Sequence, residues 1–187
     1  AHSWSGNLVT NANWDDFWLN EGFTVYFEMR IMEAVYGREY SEMLAQLSHT
    51  ELKNTVKVFM QEMPDDTRLK LDLSGRNPDD GVTAIPYDKG YHFLRLIEET
   101  VGRPRFDEFL RSYFQAHKFS VMDTERFLSL LKSDLLDDQE TRDVGVDEWV
   151  YVSGLPENAP EPKSARFDDV DALAMAFMDD PSTVPST

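Results

Sequence analysis

The chain carries four histidines, His2, His49, His92 and His117, and no cysteine. Any metal it held would therefore sit on imidazole nitrogen and carboxylate oxygen, with thiolate sites and disulfides excluded. His49, His92 and His117 have no ligand-like spacing to one another and read as non-functional. Eighteen residues separate His2 from Glu21. Alone, that spacing is a weak signal, and His2 by itself reads as a surface residue. A neutral imidazole and a carboxylate are nonetheless the donors a zinc ion uses, and a catalytic zinc site keeps its fourth position open. Tyr87, by composition alone, reads as core or capping at the start of a helix, although a phenol, with an ordinary pKa of about 10, is a neutral donor at pH 7.

The residues around these positions narrow the choice. The chain opens Ala1-His2-Ser3-Trp4-Ser5-Gly6-Asn7-Leu8-Val9-Thr10-Asn11 and continues with Trp18-Leu19-Asn20-Glu21-Gly22-Phe23-Thr24. Further on it reads Ile85-Pro86-Tyr87-Asp88-Lys89-Gly90. These stretches resemble the gluzincin aminopeptidases, most closely the leukotriene-A4-hydrolase-like branch. In that family a His-Glu-x-x-His motif sets two zinc-binding histidines one helical turn apart. A glutamate separated from the second histidine by eighteen residues is the third ligand. The resemblance implies that His2 and Glu21 are the second and third zinc ligands, with Ala1 as the last variable position of the motif. The first histidine and the catalytic glutamate would fall four and three positions before His2, outside this chain.

The resemblance further implies that Tyr87 hydrogen-bonds the oxyanion of the tetrahedral intermediate and that Asp79 helps shape the substrate pocket. A turn-forming aspartate is the competing reading of Asp79. Glu28 lies two helical turns beyond Glu21 on roughly the same face. It is either a solvated charge or a partner that orients a zinc-binding histidine. The implied activity is that of a zinc metallo-aminopeptidase, which hydrolyses the N-terminal bond of a peptide with a free N-terminus, using water activated by zinc. The isolated chain is expected to be inactive, because two ligands should bind zinc poorly and the general base is missing. The alternatives are hydrolysis of a lipid epoxide by the parent protein and a non-catalytic peptide-binding module. A zinc site that serves only structure is a blander reading.

Helices must position these groups. Residues 14–36 are rich in large apolar side chains on several sides and end at Gly37, which predicts a buried helix. Residues 40–60 are more amphipathic, with Met43, Leu44, Leu47, Leu52 and Val56, and Pro64 breaks the pattern. Leu69, Leu71 and Leu73 alternate with Lys70 and Asp72 as in an extended segment. Residues 77–81 form a turn-rich loop. Pro86 suits the first turn of a helix running to Val101, and Pro104 opens another whose Phe106, Phe109, Leu110, Tyr113 and Phe114 form a core-facing stripe. Asp123 is an expected N-cap for a helix through Leu135, and residues 146–152 form a short helix. The fold class is mostly α, with little or no sheet. The resemblance makes it the helical lobe of a thermolysin-like zinc peptidase domain followed by the start of a C-terminal helical domain. Residues 1–156 would belong to the catalytic domain and 157–166 to a linker. Residues 167–187 would form the first helix of the next domain and an unstructured tail.

Lys and Arg number 18 against 35 Asp and Glu, a formal net charge of −17 that disfavours nucleic acid and anionic membranes as partners. That acidity serves solubility, or draws in a cationic group such as a peptide's terminal amine. No apolar run reaches the roughly 18–20 residues of a membrane span. A soluble protein of the cytoplasm or periplasm is expected; the lack of cysteine does not fix the compartment.

Overall fold

The computed structural model of the protein describes residues 2–180, so that Ala1 and the tail expected beyond Asp180 lie outside the described residues. Helices dominate. The first long helix, α1 (Trp18–Tyr36), is preceded by a single 3-10 turn, Trp14–Asp16. The helix expected over residues 14–36 is therefore split. Asn13 caps the short turn by accepting from the Asp15 amide, and the buried Asp16 leaves the helix line to bond Thr124 and Lys70. Gly37 ends α1 and starts α2 (Arg38–Glu62). The buried stripe of α2 is Ser41, Ala45, His49, Leu52 and Val56, at the three-and-four spacing of one helical face. Leu47, expected on that face, is exposed.

A turn of 3-10 helix at Pro64–Thr67 leads into the Leu69–Leu73 segment. All three of its leucines are buried, yet it pairs with no strand; its amides reach the Val150 and Asp15 carbonyls and the Asp15 side chain. The loop expected at 77–81 contains a 3-10 turn, Pro78–Gly81. The helix expected from Pro86 begins instead as a five-residue π-helical turn, Ile85–Lys89, and only then continues as α3 (Gly90–Val101). Next come α4 (Arg103–His117) and α5 (Thr124–Asp134), the latter capped by Asp123 as expected. Then follow α6 (Asp138–Val144), α7 (Val146–Tyr151) and α8 (Ala165–Asp179). Helix α6 is too short to give a readable hydrophobic period. It is fixed by a capping box in which Asp137 and Glu140 satisfy each other's backbone amides.

What sheet there is consists of two three-residue strands, β1 (Val9–Asn11) and β2 (Ser120–Met122). They pair in parallel, with Val9 opposite Ser120 and Asn11 opposite Met122. The core is aromatic. Phe23 of α1 stacks on Tyr113 of α4 and meets Phe127 of α5 edge-on, while Trp18 contacts Phe93 and Phe127, and Phe93 stacks on Trp149. The expected stripe on α4 thus faces the core. Helix α8 buries none of its own side chains and leaves Val170, Leu173 and Phe177 exposed. Among the described residues no helix is long and apolar enough to cross a membrane.

Candidate metal centre

Glu21 sits in the first turn of α1 with its side chain only 8% exposed, while His2 lies in a turn with 63% of its side chain exposed. Their nearest atoms, His2 Nε2 and Glu21 Oε2, are 3.8 Å apart. No hydrogen bond joins the two groups at that distance, but two donors on one tetrahedral zinc stand about 3.3 Å apart at bond lengths near 2.0–2.1 Å. Zinc thus fits the pair after a small closure. The rest of the imidazole is arranged to suit. His2 Nδ1 faces Thr24 Oγ1 at 3.4 Å, Thr24 Oγ1 meets Ser5 Oγ at 3.1 Å, and Ser5 Oγ donates to the Asn20 carbonyl. A proton held on Nδ1 by that hydroxyl leaves Nε2 with the lone pair that a metal requires.

Burial raises the pKa of the Glu21 carboxyl, and the nearby His2 opposes the rise. The carboxylate is therefore held in a poorly solvated place with the His2 ring 3.8 Å away, a situation that a bound metal relieves. Among the described residues no group of three or more His, Cys, Asp and Glu side chains could hold a metal ion. This chain offers two donors.

Tyr87 approaches from a different element. It lies in the π turn Ile85–Lys89, half-buried, with its ring edge-on to Phe17 at 5.9 Å. Burial and the negative charge of Glu21 both raise the phenol's pKa. Tyr87 is therefore a neutral proton donor at physiological pH, close enough to feel the Glu21 charge. A close helix crossing brings the two together. A Cβ on Gly22 would come within 2.8 Å of the Gly90 Cα, and one on Gly90 would meet the Gly22 Cα at the same distance. Only two glycines let α1 and the start of α3 approach so closely, and Glu21 and the Tyr87 turn flank that contact.

The other candidates stand apart from this cluster. Glu28 is exposed and makes no hydrogen bond or ion pair among the described residues. Asp79 is exposed in its 3-10 turn; its amide donates to the Asn77 side chain, as in a turn-forming role. His92 is fully buried, with neither ring nitrogen bonded and its pKa pushed down to about 3, chiefly by burial. His49 packs edge-on against it at 5.2 Å. The groups that sequence reasoning passed over are Ser5, Phe17, Gly22, Thr24 and Gly90. Thr24 carried a usable signal, since it lies three residues after Glu21 and so shares its helical face.

A model of the peptidase family M1 domain matches residues 1–149. The chain belongs to the M1 peptidase family. Among curated relatives it is 42% identical to leucine aminopeptidase 2 of Sclerotinia sclerotiorum over 178 residues, covering 93% of this chain and 29% of that protein. It is 41% identical to a leukotriene A-4 hydrolase homolog of Botryotinia fuckeliana, covering 93% of this chain and 27% of that one. The chain thus spans under a third of the length of the relatives it matches. Its fold superposes on native leukotriene A4 hydrolase from Saccharomyces cerevisiae with a TM-score of 0.85 at 33% identity, over 99% of this chain and 30% of that one. An M1 zinc metallopeptidase from Deinococcus radiodurans, solved with a Tyr-Ser-Ala substrate, matches with a TM-score of 0.67 at 28% identity, over 87% of this chain and 33% of that one. This M1 chain is mostly helical, and its fold is leukotriene-A4-hydrolase-like.

Proposed function

We propose that the protein of which this M1 chain forms part is a zinc aminopeptidase that removes the first residue of a peptide. The observation that carries the reading is the convergence of His2 Nε2 and Glu21 Oε2 at 3.8 Å, with the Tyr87 phenol within electrostatic reach of Glu21. Support also comes from relatives named leucine aminopeptidases and from a zinc metallopeptidase neighbour that holds a tripeptide. When bound, zinc would supply Lewis-acid polarisation of the scissile carbonyl. In this reading His2 and Glu21 hold the metal, and Ser5 and Thr24 keep the His2 ring turned with Nε2 inward. Tyr87 donates its phenolic proton as a hydrogen bond to the carbonyl oxygen as negative charge develops there, and the two glycines fix the distance between donor and ligand. Glu28 and Asp79 remain proposals for, respectively, an outer partner of the metal site and a wall of the substrate pocket.

The test is made on the full-length protein, with bound zinc and hydrolysis of leucine p-nitroanilide measured together. Glu21→Gln is expected to lower both, and Tyr87→Phe to lower hydrolysis alone. Retention of full zinc and full turnover by Glu21→Gln would remove the reading. With only two donors among its described residues, this chain by itself is expected to show no chelator-sensitive turnover. A second reading, opening of a lipid epoxide, draws support from the relative and the neighbour named as leukotriene A4 hydrolases. Assay of the full-length protein on both substrate types separates the two.

A further inference from the structure

The Pro86-Tyr87-Asp88-Lys89-Gly90 stretch contains a second polar side chain that the proposed reaction does not use. Lys89 is wholly buried, and among the described residues no carboxylate pairs with it. Its Nζ donates instead to two backbone carbonyls, Thr67 O at 2.7 Å and Val152 O at 3.3 Å. The contrast with Lys70 is direct. That ammonium meets the buried Asp16 carboxylate at 2.6 Å and keeps some solvent contact. For Lys89, burial and the nearby Arg68 pull the pKa down to about 7, with Glu148 opposing the fall. A desolvated ammonium held only by neutral acceptors is an unfavourable way to fill space, and an aliphatic side chain would do so with less penalty.

What the ammonium does is join three segments. Thr67, itself fully buried, ends the Pro64–Thr67 turn, and its hydroxyl accepts from the Gly154 amide. Val152 follows α7. Lys89 thus ties the π turn to the chain just before the Leu69–Leu73 segment and to the chain just after α7. Within the turn, Tyr87 and Lys89 are two positions apart, so their side chains leave on different faces. One face carries the phenol toward Glu21, and the other is anchored in the protein body. Gly90, the next residue, rests against Gly22. The Tyr87 phenol makes no hydrogen bond among the described residues, and its ring touches Phe17 only edge-on. The phenol's place is therefore set by how firmly its turn is held.

We propose that Lys89 is a positioning residue for Tyr87, its bonds to the Thr67 and Val152 carbonyls fixing the π turn so that the phenol stands beside Glu21. The inference rests on the reading of Tyr87 as oxyanion donor. Lys89 touches neither substrate nor metal and acts only through Tyr87.

A double-mutant cycle in the full-length, zinc-loaded enzyme tests it. Tyr87→Phe alone tests the underlying reading and is expected to lower kcat about 10²–10³-fold. Lys89→Met is expected to lower kcat by about tenfold or more while KM stays within about twofold and bound zinc is unchanged. In the Tyr87→Phe background Lys89→Met is expected to change kcat less than about twofold, since groups acting as a unit are not additive. In 3-fluorotyrosine-labelled protein, the signal lost in Tyr87→Phe should shift or broaden in Lys89→Met. Equal losses from Lys89→Met in both backgrounds, or no loss in either, overturn the positioning role while leaving Tyr87 as donor. Full activity in Tyr87→Phe overturns the donor reading and the proposal with it. Should Lys89→Met fail to fold, Lys89→Gln, which keeps two N–H donors, takes its place in the same cycle, and the same results support or overturn the role.

Discussion

The two ends of α1 carry similar residues and treat them in opposite ways. At the C-terminal end, Arg30 and Glu33 join a network that is nearly complete. Arg30 grips Asp107 through two bonds and also reaches Glu98, Tyr26 bonds Glu98, and Arg103 grips Glu33 through two bonds while its Nε meets Glu98. Glu33 is held below the usual carboxylate range, first by the Arg103 hydrogen bond. At the N-terminal end, Glu21 is as buried as Glu98 but has only His2, 3.8 Å away, and its pKa is raised. One end clamps α1 to α3 and α4 and has its charges satisfied. The other leaves a buried carboxylate with an imidazole nitrogen 3.8 Å away and a phenol within its electrostatic reach. Folding alone gives no reason to keep such a cluster, which is why it reads as a place for a ligand.

Mutations can break this contrast. The largest effect is expected at the open end: Tyr87→Phe in the full-length enzyme should lower kcat about 10²–10³-fold with the melting temperature nearly unchanged. At the clamped end Glu98→Ala should do the reverse. It removes one partner each from Tyr26, Arg30 and Arg103, while Asp107 and Glu33 still hold the two arginines, and is expected to cost about 1–3 kcal/mol in denaturant unfolding, with kcat per folded molecule preserved. Loss of activity with no loss of stability in Glu98→Ala would erase the distinction between the ends. Gly22→Ala lies between them. Its new Cβ meets the Gly90 backbone and should cost about 1–3 kcal/mol, and it should lower kcat as well by forcing Tyr87 away from Glu21.

The α2–α3 contact sharpens the comparison, since His92 is buried there against His49 with neither ring nitrogen hydrogen-bonded among the described residues. Its folded pKa of about 3 lies below the ordinary value of 6.5, so the unfolded chain takes up a proton in that window and the folded chain does not. Stability is therefore fully present above pH 6.5 and falls as the pH drops toward 3, by at most about 1.4 kcal/mol per pH unit from this residue. His49, ring to ring with His92, and Arg95 both disfavour its protonation. His92→Phe should flatten that part of the acid unfolding curve, and an unchanged slope would mean that the imidazole finds a partner. The smallest effect is expected from Glu28→Gln, whose exposed side chain should leave stability within about 0.5 kcal/mol. A clear fall in bound zinc in that variant would restore Glu28 to the metal site.

Most helices could be read in the chain because their signals are local. Gly37 and Gly102 stop α1 and α3, Asp123 caps α5, and the α4 aromatics repeat at helical spacing. The failures have local causes too. The burial stripe of α2 runs through His49 rather than Leu47, since an apolar period over a long helix fits more than one face. The Leu69–Leu73 segment alternates like a strand but satisfies its amides from the Val150 carbonyl of α7 and from the carbonyl and side chain of Asp15 instead of a ladder.

By itself the sequence determined which atoms are on offer: imidazole and carboxylate but no thiolate, one phenol in a distinctive stretch, and helices strong enough to carry them. Only the tertiary structure decided that His2, Glu21 and Tyr87 converge, because the approach of α1 to α3 depends on two glycines 68 positions apart, 22 and 90, meeting backbone to backbone. It also decided that Thr24 sits beside His2, and that Lys89 directs its ammonium at two carbonyls remote in sequence. Local propensity acts through neighbours in the chain, whereas a site is made by side chains that packing brings together from far apart.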